Sequence, residues 1–205
     1  MKTVAILDYG MGNLDSVARA VEECGGNPLV TEDPGSIAKA ASIILPGVGA
    51  FADGMRELRA RGLDSVLSEE AVEKKIPLLG ICLGMQLLAR KGNEGGETEG
   101  LGLIGGEVRR LQPDTPEARI PHIGWNEVEL ECSCPLFSGI PSNTDFYFVH
   151  SYHFYPDRDE AVVARTPYCG RFASCIQREN IFGVQFHPEK SQRPGLTLLR
   201  NFLAL

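Results

Sequence analysis

Basic charge is scarce in this 205-residue chain: 20 lysines and arginines stand against 27 aspartates and glutamates, a net charge near −7. The densest basic point is the pair Arg109 and Arg110, which argues against nucleic acid and leaves a small molecule or a protein partner as the ligand. Long hydrophobic runs are missing too. No segment approaches the ~18 to 20 apolar residues of a membrane span, so no membrane contact is expected. The N-terminal MKTVAILDYG passes from a short apolar run into turn residues, unlike an export signal, so a cytoplasmic location is the expectation. The six cysteines, Cys24, Cys82, Cys132, Cys134, Cys169 and Cys175, are unevenly spaced in a chain large enough to fold without disulfides, and they read as reduced thiols. Cys132 and Cys134 form a C-x-C with no second spaced pair, so no zinc or other metal site is expected. The glycines at 100, 102 and 105 spell G-x-G-x-x-G, but after a polar loop and before strand-like sequence, which fails the context of a dinucleotide site. No cofactor is expected.

Hydrophobic residues make up 43% of the chain, enough for one core, and residues 1–205 read as a single domain. The first half alternates β-branched runs with helical stretches. TVAILD, NPLVT, SIILP and IPLLGI read as strands. A helix capped by Asn13 runs to Cys24, a short one, opened near Pro34, lies over SIAKAA, and a helical region extends to about Lys75. After residue 106 the segments EVRRL, HIGWNEVEL, DFYFVHSYHF, AVVARTPY, ASCIQREN and IFGVQF are strand-like, and a final helix is expected after Pro194 and Gly195. GNEGGETEG reads as a flexible loop. The pattern predicts an α/β fold of three layers, an open, mostly parallel sheet with flanking helices, plus an antiparallel extension.

One stretch carries chemistry. In IPLLGICLGMQLL an apolar strand runs through Gly80, Ile81, Cys82, Leu83 and Gly84 directly into helix-forming residues, a G-x-C-x-G elbow. Cysteine is often simply buried, but small residues two before and two after are what a sharp strand-to-helix turn requires. Cys82 would stand at a helix N-terminus, where unpaired N–H groups favour negative charge and can hold an oxyanion. Such a nucleophile needs a base with an orienting group. His122 lies between Pro121 and Ile123, and His150 and His153 sit inside an aromatic strand pattern with no close acidic neighbour in sequence before Asp157. His187 ends an apolar strand and precedes Pro188 and Glu189, and in an extended segment residues two apart face the same way. Its strand end would lie at the same carboxyl edge of the sheet as Cys82.

The segments GICLGMQ, FGVQFHPEKS and PGVGAF, at positions 46 to 51, resemble the class I, or triad, glutamine amidotransferases. DYGMGN, PHIGWN and FVHSY resemble the branch of that family that serves histidine biosynthesis, and the likeness covers nearly the whole chain. The resemblance implies a flavodoxin-like fold and hydrolysis of glutamine to glutamate and ammonia through a Cys82 thioester, with His187 and Glu189 completing the triad. It implies an oxyanion hole from Leu83 and the turn at Val48 and Gly49, and glutamine contacts from Gln86, Ser151 and Tyr152. It further implies a heterodimer with a cyclase subunit, a (β/α)8 barrel, touched by Asn13, Trp125, Asn126 and Lys190. Trp125, the only tryptophan, reads equally as a core aromatic. An amidotransferase of another pathway, such as surface-sugar amination, and a catalytically silent binding subunit are the competing readings.

Overall fold

Strand-forming runs of the N-terminal half are apolar on both faces, the composition of strands that helices cover from two sides. In the computed structural model, which describes residues 2–205, that half builds β1 (Thr3–Leu7), α1 (Leu14–Glu23), β2 (Asn27–Thr31), α2 (Pro34–Ile37) and β3 (Ser42–Leu45). It continues with α3 (Phe51–Ala60), α4 (Leu63–Leu67), β4 (Leu78–Ile81) and α5 (Leu83–Leu87). Two short strands follow, β5 (Lys91–Gly92) and β6 (Thr98–Glu99), then β7 (Gly106–Arg110), β8 (His122–Leu130), β9 (Thr144–His150) and β10 (Tyr152–Pro156). The chain ends with β11 (Val162–Thr166), β12 (Phe172–Arg178), β13 (Ile181–Val184) and α6 (Gln192–Ala204).

Nine strands form the main sheet in the order β2-β1-β3-β4-β13-β12-β11-β8-β9. The first five are mutually parallel, and each remaining pair is antiparallel. A mixed sheet with flanking helices is therefore the architecture, as expected. Alternation divides the core: Val4 and Ile6 pack with Val21 of α1 and Leu199 of α6, while Ala5 and Leu7 pack with Met55 of α3 and Leu87 of α5. Asn13 caps α1 by accepting the Ser16 N–H, and Gly25, at φ +85°, follows the helix end in the left-handed conformation only glycine adopts freely.

Three expectations shift. DFYFVHSYHF is two strands. β9 belongs to the main sheet and β10 pairs with β7 in a second sheet of four strands, β10-β7-β5-β6, so Ser151 is the crossing point between them. GNEGGETEG is not simply a loop. Its flanks pair as β5 and β6, and Gly92 packs against the ring of Phe51, at a separation no side chain could share. The last helix starts at Gln192, ahead of Pro194, since first-turn N–H groups lack helical partners and proline there forfeits nothing. The helix of the second βα unit likewise begins at Pro34, capped by Asp33, and ends at Ile37.

Candidate active site

Cys82 leaves β4 with φ 53° and ψ −108°, a conformation a non-glycine residue holds only under constraint. The constraint is visible. The Cys82 N–H donates to the Val184 carbonyl at 2.8 Å, and the Cys82 carbonyl accepts from Gln86 at 3.2 Å. The elbow is also too tight for side chains on its flanks: a Cβ on Gly80 would lie 2.7 Å from the Gly84 backbone, and one on Gly84 would run into the Leu45 carbonyl. These two glycines are required by contact.

His187 stands just past β13. Its backbone is clamped from both sides, its N–H donating to Tyr147 at 2.9 Å and its carbonyl accepting the Ser191 hydroxyl at 2.6 Å. Nδ1 lies 2.8 Å from Glu189 Oε1, and the two side chains are 3% and 2% exposed. Glu189 does not reach His187 along an extended strand, as the sequence suggested. Pro188–Lys190 is a tight 3₁₀ turn that folds the carboxylate back. Burial lowers the affinity of the His187 ring for a proton, but Cys82 and Glu189, which both favour the charged ring, more than offset it and raise the pKa to about 10. Nε2, the nitrogen that does not face Glu189, is buried and has no hydrogen-bond partner among the described residues.

A cleft of about 290 Å³ opens over these groups. Cys82 and His187 line it together with Val48, Gly49, Leu83, Gln86, Ser151 and Tyr152. Glu189 sits behind His187, outside the lining. The sequence missed three further groups. Glu94, in the supposed flexible loop, lines the cleft while its Oε2 accepts the Phe51 N–H at 2.8 Å. His150, set aside for want of an acidic neighbour, lines it as well. Gln185 is fully buried under Cys82 and donates toward its sulfur at 3.6 Å; a polar residue inside the apolar run IFGVQF was the signal available.

Two expected roles take a different form. Both protons of the Gln86 amide nitrogen have internal acceptors, the Tyr152 carbonyl at 2.9 Å and Gln185 Oε1 at 3.0 Å, so only its oxygen is left for a ligand. Of the expected oxyanion donors Leu83, Val48 and Gly49, two are occupied: the Leu83 N–H donates to the Gly47 carbonyl at 3.3 Å and the Val48 N–H to the Met11 carbonyl at 3.2 Å. In this conformation neither points at a bound carbonyl, because one peptide, between Gly47 and Val48, supplies an acceptor to the first and is itself the second.

The remaining predicted residues lie outside the cleft. Asn13 caps α1, and Lys190 is exposed beside the same helix. Trp125 is 47% exposed and contacts Tyr147 edge-on at 6.0 Å, so it is not a core aromatic. Asn126, the next residue of β8, lies on the opposite face and contacts His122.

The family model described as Glutamine amidotransferase class-I matches residues 5–205. A relative named imidazole glycerol phosphate synthase subunit HisH, from Moorella thermoacetica, is 53% identical over 98% of this chain and 94% of its own length. One of the same name from Dehalococcoides mccartyi is 48% identical over 98% of this chain and 97% of its own. Among solved structures, that of PurLQS from Thermotoga maritima superposes with a TM-score of 0.77 over 100% of this chain and 99% of that one, at 20% identity, a likeness of fold. With the elbow, the cleft and these matches together, the chain belongs to the class I glutamine amidotransferase family.

Proposed function

We propose that this chain is the glutaminase subunit of an imidazole glycerol phosphate synthase, releasing ammonia from glutamine for a cyclase subunit, a (β/α)8 barrel, in histidine biosynthesis. One observation carries the chemistry: a strained cysteine at a strand-to-helix elbow shares a cleft with a buried imidazole that is paired to a buried carboxylate. In the proposed reaction the Cys82 sulfur attacks the amide carbon of glutamine. The thiol proton rests on His187 Nε2 and passes to the leaving nitrogen, the C–N bond breaks, and ammonia departs from a thioester. Water, deprotonated by the same nitrogen, then cleaves the thioester to glutamate and restores the thiol. Glu189 keeps the other ring nitrogen protonated and stabilises the imidazolium.

Glutamine itself would meet the Gln86 oxygen, the Ser151 and Tyr152 segment and the free oxygen of Glu94, a match for its α-ammonium. Oxyanion stabilisation by Val48 and Leu83 requires rotation of the Gly47 peptide, which would turn the Val48 N–H inward and free the Leu83 N–H together. Donors of this kind contribute about 3 kcal/mol each. That one rotation would let a partner's arrival switch both donors together. The exposed Trp125, with Asn13 and Lys190, supplies the proposed partner face.

The test has two arms. A glutamine-mimicking electrophile should label Cys82 alone among six cysteines, and Cys82→Ala should abolish glutamate formation without loss of partner binding. Co-purification with the cyclase and glutamine-dependent turnover of its ribotide substrate should follow; no response to any such subunit would point to another amination pathway.

A further inference from the structure

His122 and His150, two buried histidines with no role in the proton transfers above, form the middle of a hydrogen-bonded file whose direction follows atom by atom. His150 Nδ1 lies 2.8 Å from the Tyr152 carbonyl oxygen, which only accepts, so Nδ1 carries the proton. Burial drives both rings down, to about 3 for His150 and about 4 for His122, so near neutral pH each holds a single ring proton. The bare Nε2 of His150 then accepts from His122 Nδ1 at 3.0 Å, and the bare Nε2 of His122 accepts from Asn126 Nδ2 at 3.2 Å. Asn126 is fixed in that orientation because its oxygen takes the Glu127 N–H at 2.9 Å.

Tyr152 is where the file meets the cleft. Its carbonyl also accepts from Gln86, which donates to Gln185, which donates toward the Cys82 sulfur. Ser151, beside it, lies between the two sheets' registered pairs, its carbonyl accepting the Leu111 N–H at 2.9 Å. Stacking keeps the rings from turning: His122 lies on Tyr168 at 4.0 Å, and His150 meets Phe172 edge-on at 4.8 Å. The other end of the file is β8, whose opposite face presents Trp125 and Ile123, the latter 61% exposed.

We propose that His122 and His150 are positioning residues that hang the Ser151 and Tyr152 wall of the glutamine cleft from strand β8, so that a displacement of β8 is felt at the substrate. The role of the wall rests on the glutaminase reading of the cleft.

Imidazole ¹⁵N NMR of the full chain at pH 7 should find both rings as the Nδ1–H tautomer; the Nε2–H form at either ring overturns the file. His122→Phe keeps the stacking and removes both nitrogens. With a γ-diazoketone analogue of glutamine, its half-saturation for Cys82 inactivation should rise about tenfold while the limiting rate stays within about twofold. Alkylation by iodoacetamide, which needs only the thiol, should not change. His122→Asn, whose amide nitrogen can stand in for Nδ1, should recover most of the loss. Should His122→Phe fail to fold, Asn126→Ala removes the donor at the β8 end and should give a smaller shift of the same kind. Unshifted half-saturation in a folded variant overturns the proposal. A wild-type chain that never saturates with the analogue rejects the glutaminase reading instead, and the tautomers then decide the file by themselves.

Discussion

Exchanging Glu189 for glutamine separates the charge of the group behind His187 from its shape. The amide still offers an oxygen to the Nδ1–H now held at 2.8 Å, so the ring keeps its place while the negative charge disappears. With charge centres about 4 Å apart and an effective dielectric near 20, that charge is worth about 4 kcal/mol to the imidazolium, or about three pH units. Both side chains are almost fully buried, so solvent screening subtracts little. His187, raised to about 10 in the native protein, should therefore titrate near neutrality in Glu189→Gln. The sign for stability follows from the same shift. A folded-state value above the ordinary 6.5 contributes stability that is complete below pH 6.5 and fades as the pH climbs through about 10. Wild type should thus exceed the variant by a few kcal/mol at pH 6 in urea unfolding, with the gap closing toward pH 10. Turnover should fall about a hundredfold or more, with KM for glutamine nearly unchanged. Imidazole NMR titration is the deciding assay: equal titration of His187 in both proteins, or a stability gap that ignores pH, refutes the reasoning.

Four other substitutions probe three separate features. Gly84→Ala forces a methyl into the Leu45 carbonyl and should cost about 3 kcal/mol or more with loss of activity. Gly62→Ala, at φ +68° with open space around it, should cost only about 1 kcal/mol in thermal unfolding; similar losses at the two sites would mean that the Leu45 contact yields and is not what requires Gly84. Glu94→Gln should raise KM for glutamine about ten- to a hundredfold, and it should leave reaction with glutaramate, which lacks the α-amino group, unaffected. Trp125→Ala should weaken cyclase binding about 30-fold in a titration calorimeter while moving the stability of the isolated chain by under about 0.5 kcal/mol.

The sequence displays those parts of the fold whose causes are local. β1, β3 and β4 are continuous apolar runs because helices cover both their faces, and α1 has its cap at Asn13 and its stop at Gly25 within one stretch of chain. Cys82 was legible for the same reason: the glycines that permit the elbow are two residues away. Groups fixed by tertiary docking were not. Glu94 reaches the cleft because Phe51, 43 residues earlier, anchors its carboxylate, and nothing in GNEGGETEG records that. His150 had no acidic neighbour in sequence because its partners are another imidazole, 28 residues away, and a backbone carbonyl. The division of DFYFVHSYHF between two sheets was hidden for a like reason, since the pleat continues through Ser151 while its pairing partner changes.

The amide joining Gly47 and Val48 has one more consequence. A peptide plane is rigid, and its oxygen and hydrogen point opposite ways, so the group cannot satisfy the resting contacts and a tetrahedral intermediate at once. On the proposed reading of Val48 and Leu83 as oxyanion donors, activation would then be a matter of how many molecules have turned, not of how far each has turned. Under weak engagement the initial burst of acyl-enzyme should shrink in amplitude while its time constant stays the same.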